Sequence, residues 1–313
     1  MMEKAKGRKG FALIISLWVL VLLSVLAMSF SFFTRDEAMG ARNFKEETLA
    51  YYAALSAHEE ALIYLSGDKD LSIDFLDEEG NVLTDGERPG VAGKREGGDF
   101  EIDVRITDEE SRLNLNTVTP EVFREALKYA RVPEDEINTI SDSVLDWKDP
   151  DDTHHLSGAE TDYYETLSIP YIAKNGLFDS AEELLLIKGM KREYLYGEGG
   201  EEKPLSGLFT IYGDGINVNT APREVLEILG IDSPSIDKML EDRKILGGLK
   251  AAPPVFNVAG AGLLASRHFR VEVSARPVEG KERVKITSIS ERTANGKKFR
   301  IILWREGIDY GGA

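Results

Sequence analysis

The chain reads as an α+β protein: a long N-terminal helix packed on an antiparallel sheet, with a large all-α domain inserted between the strands. Three observations predict this. Residues 11–33 form an apolar run without a formal charge, and a helical stripe continues it to residue 66. Alternating apolar and polar residues mark four strands, one near residue 100 and three beyond residue 268. Residues 111–264, between those strands, carry helical patterning. The implied division is a leader over 1–10, a helix over 11–66, a sheet domain from 67–110 together with 265–313, and an inserted helical domain over 111–264.

The run Phe11–Phe33 contains no Asp, Glu, Lys, Arg, Pro or Gly. As a helix it is about 34 Å long, enough to cross a hydrocarbon core of roughly 30 Å. Lys4, Lys6, Arg8 and Lys9 precede it and hold that end on the cytoplasmic side. A cleaved secretory signal is the competing reading, but its apolar stretch is usually about 7–15 residues and ends in a small-x-small site. Length favours a retained span. From Arg35 to Leu65 the spacing of Phe44, Tyr51, Leu55, Leu62 and Leu65 gives one apolar stripe, and Gly67 stops the helix.

Turn residues punctuate the next stretch at Asp85-Gly86, Arg88-Pro89-Gly90 and Gly97-Gly98. The segment Asp99–Thr107 then places Phe100, Ile102, Val104 and Ile106 on one face. Three further strands are predicted over Phe269–Ala275, Arg283–Ile289 and Lys298–Trp304. Turns containing Gly280 and Asn295-Gly296 separate them, and Asn-Gly is a strong hairpin signal.

The inserted region repeats a phrase. Leu113-Asn114-Leu115-Asn116-Thr117-Val118-Thr119-Pro120-Glu121 is echoed by Ile216-Asn217-Val218-Asn219-Thr220-Ala221-Pro222-Arg223-Glu224. Each copy has the logic of a helix start, with Thr117 or Thr220 as cap, proline at the first turn, and Glu121 or Glu224 at the positive helix end. A weaker third relative runs from Leu177 to Leu184. These phrases also resemble helix-hairpin-helix modules, which bind DNA phosphates. The chain argues against that use, because Asp and Glu number 55 against 38 Lys and Arg, a formal charge of −17. Such a surface repels nucleic acid, so no nucleic-acid partner is expected. There are no cysteines, so stability must come from the core or from bound metal.

Asp149, Asp151, Asp152, Glu160 and Asp162 flank a loop containing Gly158, with Asp146 just upstream. Packed together without a cation they repel, and an oxygen-rich loop of this kind suits Ca²⁺. The spacing is not that of an EF-hand, and a solvated acidic turn is the alternative. His154 and His155 suggest zinc, but no third His or Cys lies nearby, and hard oxygen donors fit better. Catalytic signatures such as a nucleophile elbow, a P-loop or HExxH are absent, so an enzyme is not expected.

A basic head ending in Gly10, then Phe11 and a long apolar helix, resembles the start of type IV prepilins and pseudopilins. Most of that family has Glu at the fifth mature position, where this chain has Ile15. The minor pseudopilin K of type II secretion lacks that Glu. Its motifs are matched in order by Leu113–Asn116, Trp147-Lys148-Asp149-Pro150-Asp151, Gly158-Ala159-Glu160, Tyr171–Asn175, Glu183-Leu184 and Ile216–Pro222. Thr161 and Lys148 depart from the family pattern. The resemblance implies a pseudopilin fold with a helical insertion and bound calcium. It also implies cleavage between Gly10 and Phe11 by a prepilin peptidase, methylation of Phe11, and a single-pass inner-membrane protein with its bulk in the periplasm. The partners implied are other minor pseudopilins at the tip of a pseudopilus that exports folded proteins. A minor pilin of a related type IV pilus, or a membrane-anchored DNA-binding protein, are the alternatives.

Overall fold

A computed structural model describes residues 9–77, 80–83, 93–97, 100–197, 203–246, 248–253, 256, 261–278, 283–293 and 296–309. The basic head up to Arg8 and the turn residues Asp85, Gly86, Arg88, Pro89, Gly90, Gly98, Gly280 and Asn295 lie outside them.

Helix α1 runs unbroken over Lys9–Ser66. Its first half is exposed along its length, as an apolar span without protein around it must be. Its second half docks on the sheet through Ala50, Ala54, Ala57, Ala61 and Leu65, all buried. This corrects the expected stripe. Tyr51, Leu55 and Leu62 only flank the contact, and Phe44 is exposed beyond it. Alanines at helical spacing let the helix axis approach the sheet closely, and the larger side chains then straddle the seam.

Four strands follow before the insertion: β1 (Phe75–Leu76) pairs with β2 (Val82–Leu83), and β3 (Gly93–Gly97) with β4 (Phe100–Asp108). After the insertion come β9 (His268–Pro277), β10 (Arg283–Arg292) and β11 (Phe299–Asp309). The main sheet is antiparallel in the order β11-β10-β9-β4-β3. Its inner face buries Ile102, Val104, Ile106, Phe269, Val271, Val273, Val284 and Ile286 against α1. Asp108 pairs with Phe269 across β4 and β9. The insertion therefore leaves and re-enters the sheet at neighbouring strand ends, which is how it is accommodated without disturbing the ladder.

The insertion has its own core, including Phe123, Leu127, Ile140, Trp147, Tyr164, Phe209 and Leu226. It contains β5 (Leu113–Asn114), α2 (Pro120–Tyr129), α3 (Glu134–Lys148), α4 (Thr161–Tyr164), α5 (Arg192–Tyr196), β6 (Phe209–Thr210), β7 (Gly215–Asn217), α6 (Arg223–Ile228), α7 (Ser233–Leu246) and β8 (Ala261–Leu263). It is mainly helical rather than all-α. Each repeat copy opens on a short strand, β5 pairing with β6 and β7 with β8, both parallel.

The repeated Asn-x-Asn phrases share one geometry. The first Asn accepts the backbone N–H of the second, Asn116 to Asn114 at 2.8 Å and Asn219 to Asn217 at 2.9 Å. The second Asn grips a distant peptide with both ends of its amide. Asn116 donates to Phe178 O at 3.1 Å and accepts from Phe178 N at 2.8 Å. Asn219 does the same to Leu249, at 3.1 and 2.6 Å. The threonines do not cap the helices as expected. Thr119, two residues later, caps α2 with Pro120 in the first turn, while the Thr220 hydroxyl donates to Asp108.

Asp108 is the hub of the join between sheet and insertion. Its Oδ2 accepts from Asn217 at 3.1 Å, Ser266 at 2.6 Å and Thr220, and its Oδ1 accepts from Glu110 N at 2.8 Å. Burial and the neighbouring Glu110 and Asp74 push its carboxyl well above the usual range. Asp74 is pushed up to about 6 by burial, opposed by the Arg292 guanidinium 3.5 Å away. A buried polar hub of this kind fixes relative orientation because an unmade bond there is costly.

Candidate metal centre

The centre begins at the C-terminal end of α3. Ile137, Ile140, Val144 and Trp147 face the core and carry Asp146 inward with them, so that its carboxylate is wholly buried. Asp149 ends the helix, and the chain loops through residues 150–160 before α4. The loop closes over Asp146. Its Oδ1 accepts the His155 N–H at 3.0 Å and contacts His155 Nδ1. Gly158 passes so close to Asp146 Oδ2 that no side chain fits there. Asp146, Asp149 and His155 each place a ligand atom within 4.8 Å of the others.

Oxygens with no hydrogen-bond partner collect here: Asp146 Oδ2, Asp149 Oδ1, and both carboxylate oxygens of Glu160, which is only 2% exposed. Burial and the charges of Asp146, Asp149 and Asp152 push the Glu160 carboxyl up to about 7. Burial and the charges of Asp151 and Asp146 raise Asp149. The hydrogen bond to Asp146 raises His155. Carboxylates that resist ionisation while lacking partners are what a cation site looks like in protein atoms alone. Hard, mostly anionic oxygen donors with one marginal imidazole fit Ca²⁺ better than a softer metal.

The expected ligands divide. Buried Glu160 and half-buried Asp149 join Asp146 in the inner group. Asp151 and Asp152 are exposed, with Asp151 Oδ1 accepting from Thr153 N at 2.8 Å and Asp152 Oδ1 from Asn175 Nδ2 at 3.2 Å. Asp162 is exposed and pairs with His154 Nε2 at 3.0 Å, also in the open. Sequence reasoning placed Asp146 only upstream of the loop, set His155 aside together with zinc, and gave Asn175 no part in the site. The α3 pattern could have found the first, since an acid beside Trp147 on an apolar helix face must have a partner. Asn175 has left-handed backbone (φ 47°) and a buried, unpartnered Oδ1. Only the fold brings it to the loop.

Two other arrangements bear on chemistry. Ser288 Oγ lies 2.7 Å from His58 Nε2, a pairing of the kind that activates nucleophiles. Both residues are fully buried between α1 and the sheet, so no substrate reaches them. The α2–α3 hairpin opens α3 on Glu134, Asp135 and Glu136. That helix end repels the phosphates a DNA-binding hairpin would hold.

A family model described as type II secretion system (T2SS), protein K, matches residues 108–196, the stretch that contains the centre. Type II secretion system protein K of Aeromonas hydrophila is 28% identical over 216 residues, 60% of this chain and 61% of its own length. The protein of the same name from Pectobacterium carotovorum is 27% identical over 200 residues, 58% of each. The match thus spans about three fifths of the length of these relatives. Among solved structures, a chain of the GspK-GspI-GspJ complex from the type 2 secretion system of enterotoxigenic Escherichia coli shares the fold. Its TM-score is 0.61 at 18% identity, covering 85% of this chain and 99% of that one. Residues 108–196 thus resemble type II secretion protein K, and the similarity of this chain to that family, which its motif order implied, is borne out.

Proposed function

We propose that this chain is a minor pseudopilin of type II secretion that stands at the tip of the pseudopilus, starting or capping the fibre that drives folded proteins across the outer membrane. The division of α1 carries this reading. Residues 11–33 are apolar and exposed, as a membrane-spanning and fibre-packing helix must be, while Ala50–Leu65 anchors the globular part. On this reading the chain crosses the inner membrane by a single pass and the sheet domain lies in the periplasm.

Ile15 supports the tip position. In the family the missing Glu neutralises the N-terminal amine of the preceding subunit, and a subunit with none ahead of it would bury that charge unpaired. The insertion supports it on steric grounds, since a second packed core on each subunit would crowd a continuous fibre. Smaller minor pseudopilins are the expected partners, together with the prepilin peptidase, and the E. coli neighbour, solved in a GspK-GspI-GspJ complex, supports partners of this kind. Calcium is the proposed cofactor, held by Asp146, Asp149 and Glu160 with the loop around them. When bound it would neutralise carboxylates that otherwise repel and would rigidify the loop. A minor pilin of a related pilus is the second reading, which the motif order and the protein K match disfavour.

Processing tests the proposal. Mass analysis of N-terminal peptides from membrane fractions should show a mature terminus at Phe11 carrying one added methyl group, and no cleavage in cells lacking prepilin peptidase. A terminus near Ser29–Thr34 would mean a cleaved secretory signal and would contradict it.

A further inference from the structure

The two Asn-x-Asn phrases make the same clamp on different parts of the chain, and only one clamp bears on the metal centre. Asn219 grips Leu249 in the segment after α7. Asn116 grips Phe178, three residues beyond Asn175. Between the gripped peptide and the loop there is a short, continuous set of bonds. Gly176 N donates to Trp147 O at 3.2 Å, tying the segment to the end of α3. Asn175 Nδ2 donates to Asp151 O at 3.4 Å and to Asp152 Oδ1 at 3.2 Å, tying it to the first half of the acidic loop. Asn175 is left with a buried carbonyl oxygen that has no partner. The Phe178 ring itself is buried in the insertion core, so the clamp holds a peptide that is already anchored on one side.

We infer that Asn116 is a positioning residue for the metal centre: by gripping the Phe178 peptide it fixes Asn175 and Gly176 against the ends of the loop that carries Asp149 and Asp151. The inference rests on the calcium reading of that loop. Asn116 touches no candidate ligand. It acts through a backbone segment that holds the 151–152 turn, through Asn175, and the end of α3, through Gly176, in register with each other. Outer-shell contacts that orient ligands typically change metal affinity by roughly 10–100-fold when removed. The second copy supplies an internal control, because Asn219 on substitution loses the same pair of hydrogen bonds to a peptide, and a further one to Leu264 O at 3.2 Å, without a route to the loop.

The test titrates calcium alone into the full-length protein in detergent by calorimetry. Asn116→Ala should weaken calcium binding at least about tenfold. Asn219→Ala should lower the melting temperature yet leave calcium affinity within about twofold of the parent, because its clamp closes a different part of the core. Unchanged affinity in Asn116→Ala, or equal weakening in both variants, would overturn the inference. Hydrogen exchange on the unmodified protein covers the case in which Asn116→Ala does not fold. Calcium should slow exchange of the Phe178 amide about tenfold or more and leave the Leu249 amide unchanged, the outer-shell coupling being confined to one clamp. Protection of both or of neither would overturn it. If the unmodified protein binds no calcium, the loop reading fails and the inference falls with it. If it binds calcium and the two clamps behave alike, the inference alone fails.

Discussion

Full-length protein in detergent should melt roughly 5–10 °C higher with saturating calcium than with chelator. A ligand at a hundred times its dissociation constant adds about 2.7 kcal/mol, and a domain of this size shifts about 2–4 °C per kcal/mol. Glu160→Gln should remove most of that gain while slightly raising the melting temperature in chelator, because it deletes a buried charge that repels Asp146 and Asp149. The pH dependence has a definite sign. The Glu160 carboxyl is raised in the fold from 4.5 to about 7, so its contribution in the metal-free protein is present below pH 4.5 and is lost as pH rises towards 7. Chelated protein should therefore lose stability across that window, and calcium should restore it, so the calcium shift grows with pH. A thermal shift series at pH 5, 6, 7 and 8 checks this. No calcium shift at any pH, with no metal found by elemental analysis, would return the loop to a solvated acidic turn.

Gly158→Ala should be the most damaging single methyl group in the insertion. An added Cβ would overlap Asp146 Oδ2 and lie 2.7 Å from its carboxylate carbon. Asp146 is fully buried at the end of α3, with His155 bonded to its other oxygen, so its carboxylate has nowhere to swing without moving α3 or the loop. Overpacking of this kind costs about 1–3 kcal/mol or more. Because the displaced group is a central ligand candidate, the calcium shift should vanish together with that stability. Gly207→Ala is the matched control: its added methyl meets nothing within 4 Å, and its effect should stay within about 0.5 kcal/mol. Equal melting temperatures and equal calcium shifts for the two variants would show that Gly158 does not crowd Asp146.

Much of the fold was legible because periodicity reports burial. Helix α1 and strands β4, β9, β10 and β11 follow their apolar patterns to within a few residues. Strand β3 was not legible, since Gly93-Lys94-Arg95-Glu96-Gly97 is an edge strand with no apolar face to alternate. The docking face of α1 was misjudged because bulky residues dominate a hydrophobic pattern, whereas close approach to a sheet selects alanine. The Asn-x-Asn repeat was visible as a repeat, but its partners Phe178 and Leu249 are distant in sequence and no local rule points to them. The acidic loop was visible from composition alone. Asp146, the buried centre of it, was hidden in the helix, while Asp162 turned outward to His154. Local pattern marks which residue types gather, and the packing of α3 decides which of them face inward.

We propose that this chain assembles with smaller minor pseudopilins at a fibre tip and is not itself the repeating subunit. Co-expression of the full-length chain with the minor pseudopilins of its own system, followed by detergent extraction and native mass measurement, tests it most directly. The expected result is a discrete complex holding one copy of this chain, lost when Ala54 and Ala57 are replaced by Leu so that α1 no longer seats on its sheet. Homopolymers of this chain alone, or salt-sensitive binding to DNA with no affinity for any pseudopilin, would contradict it.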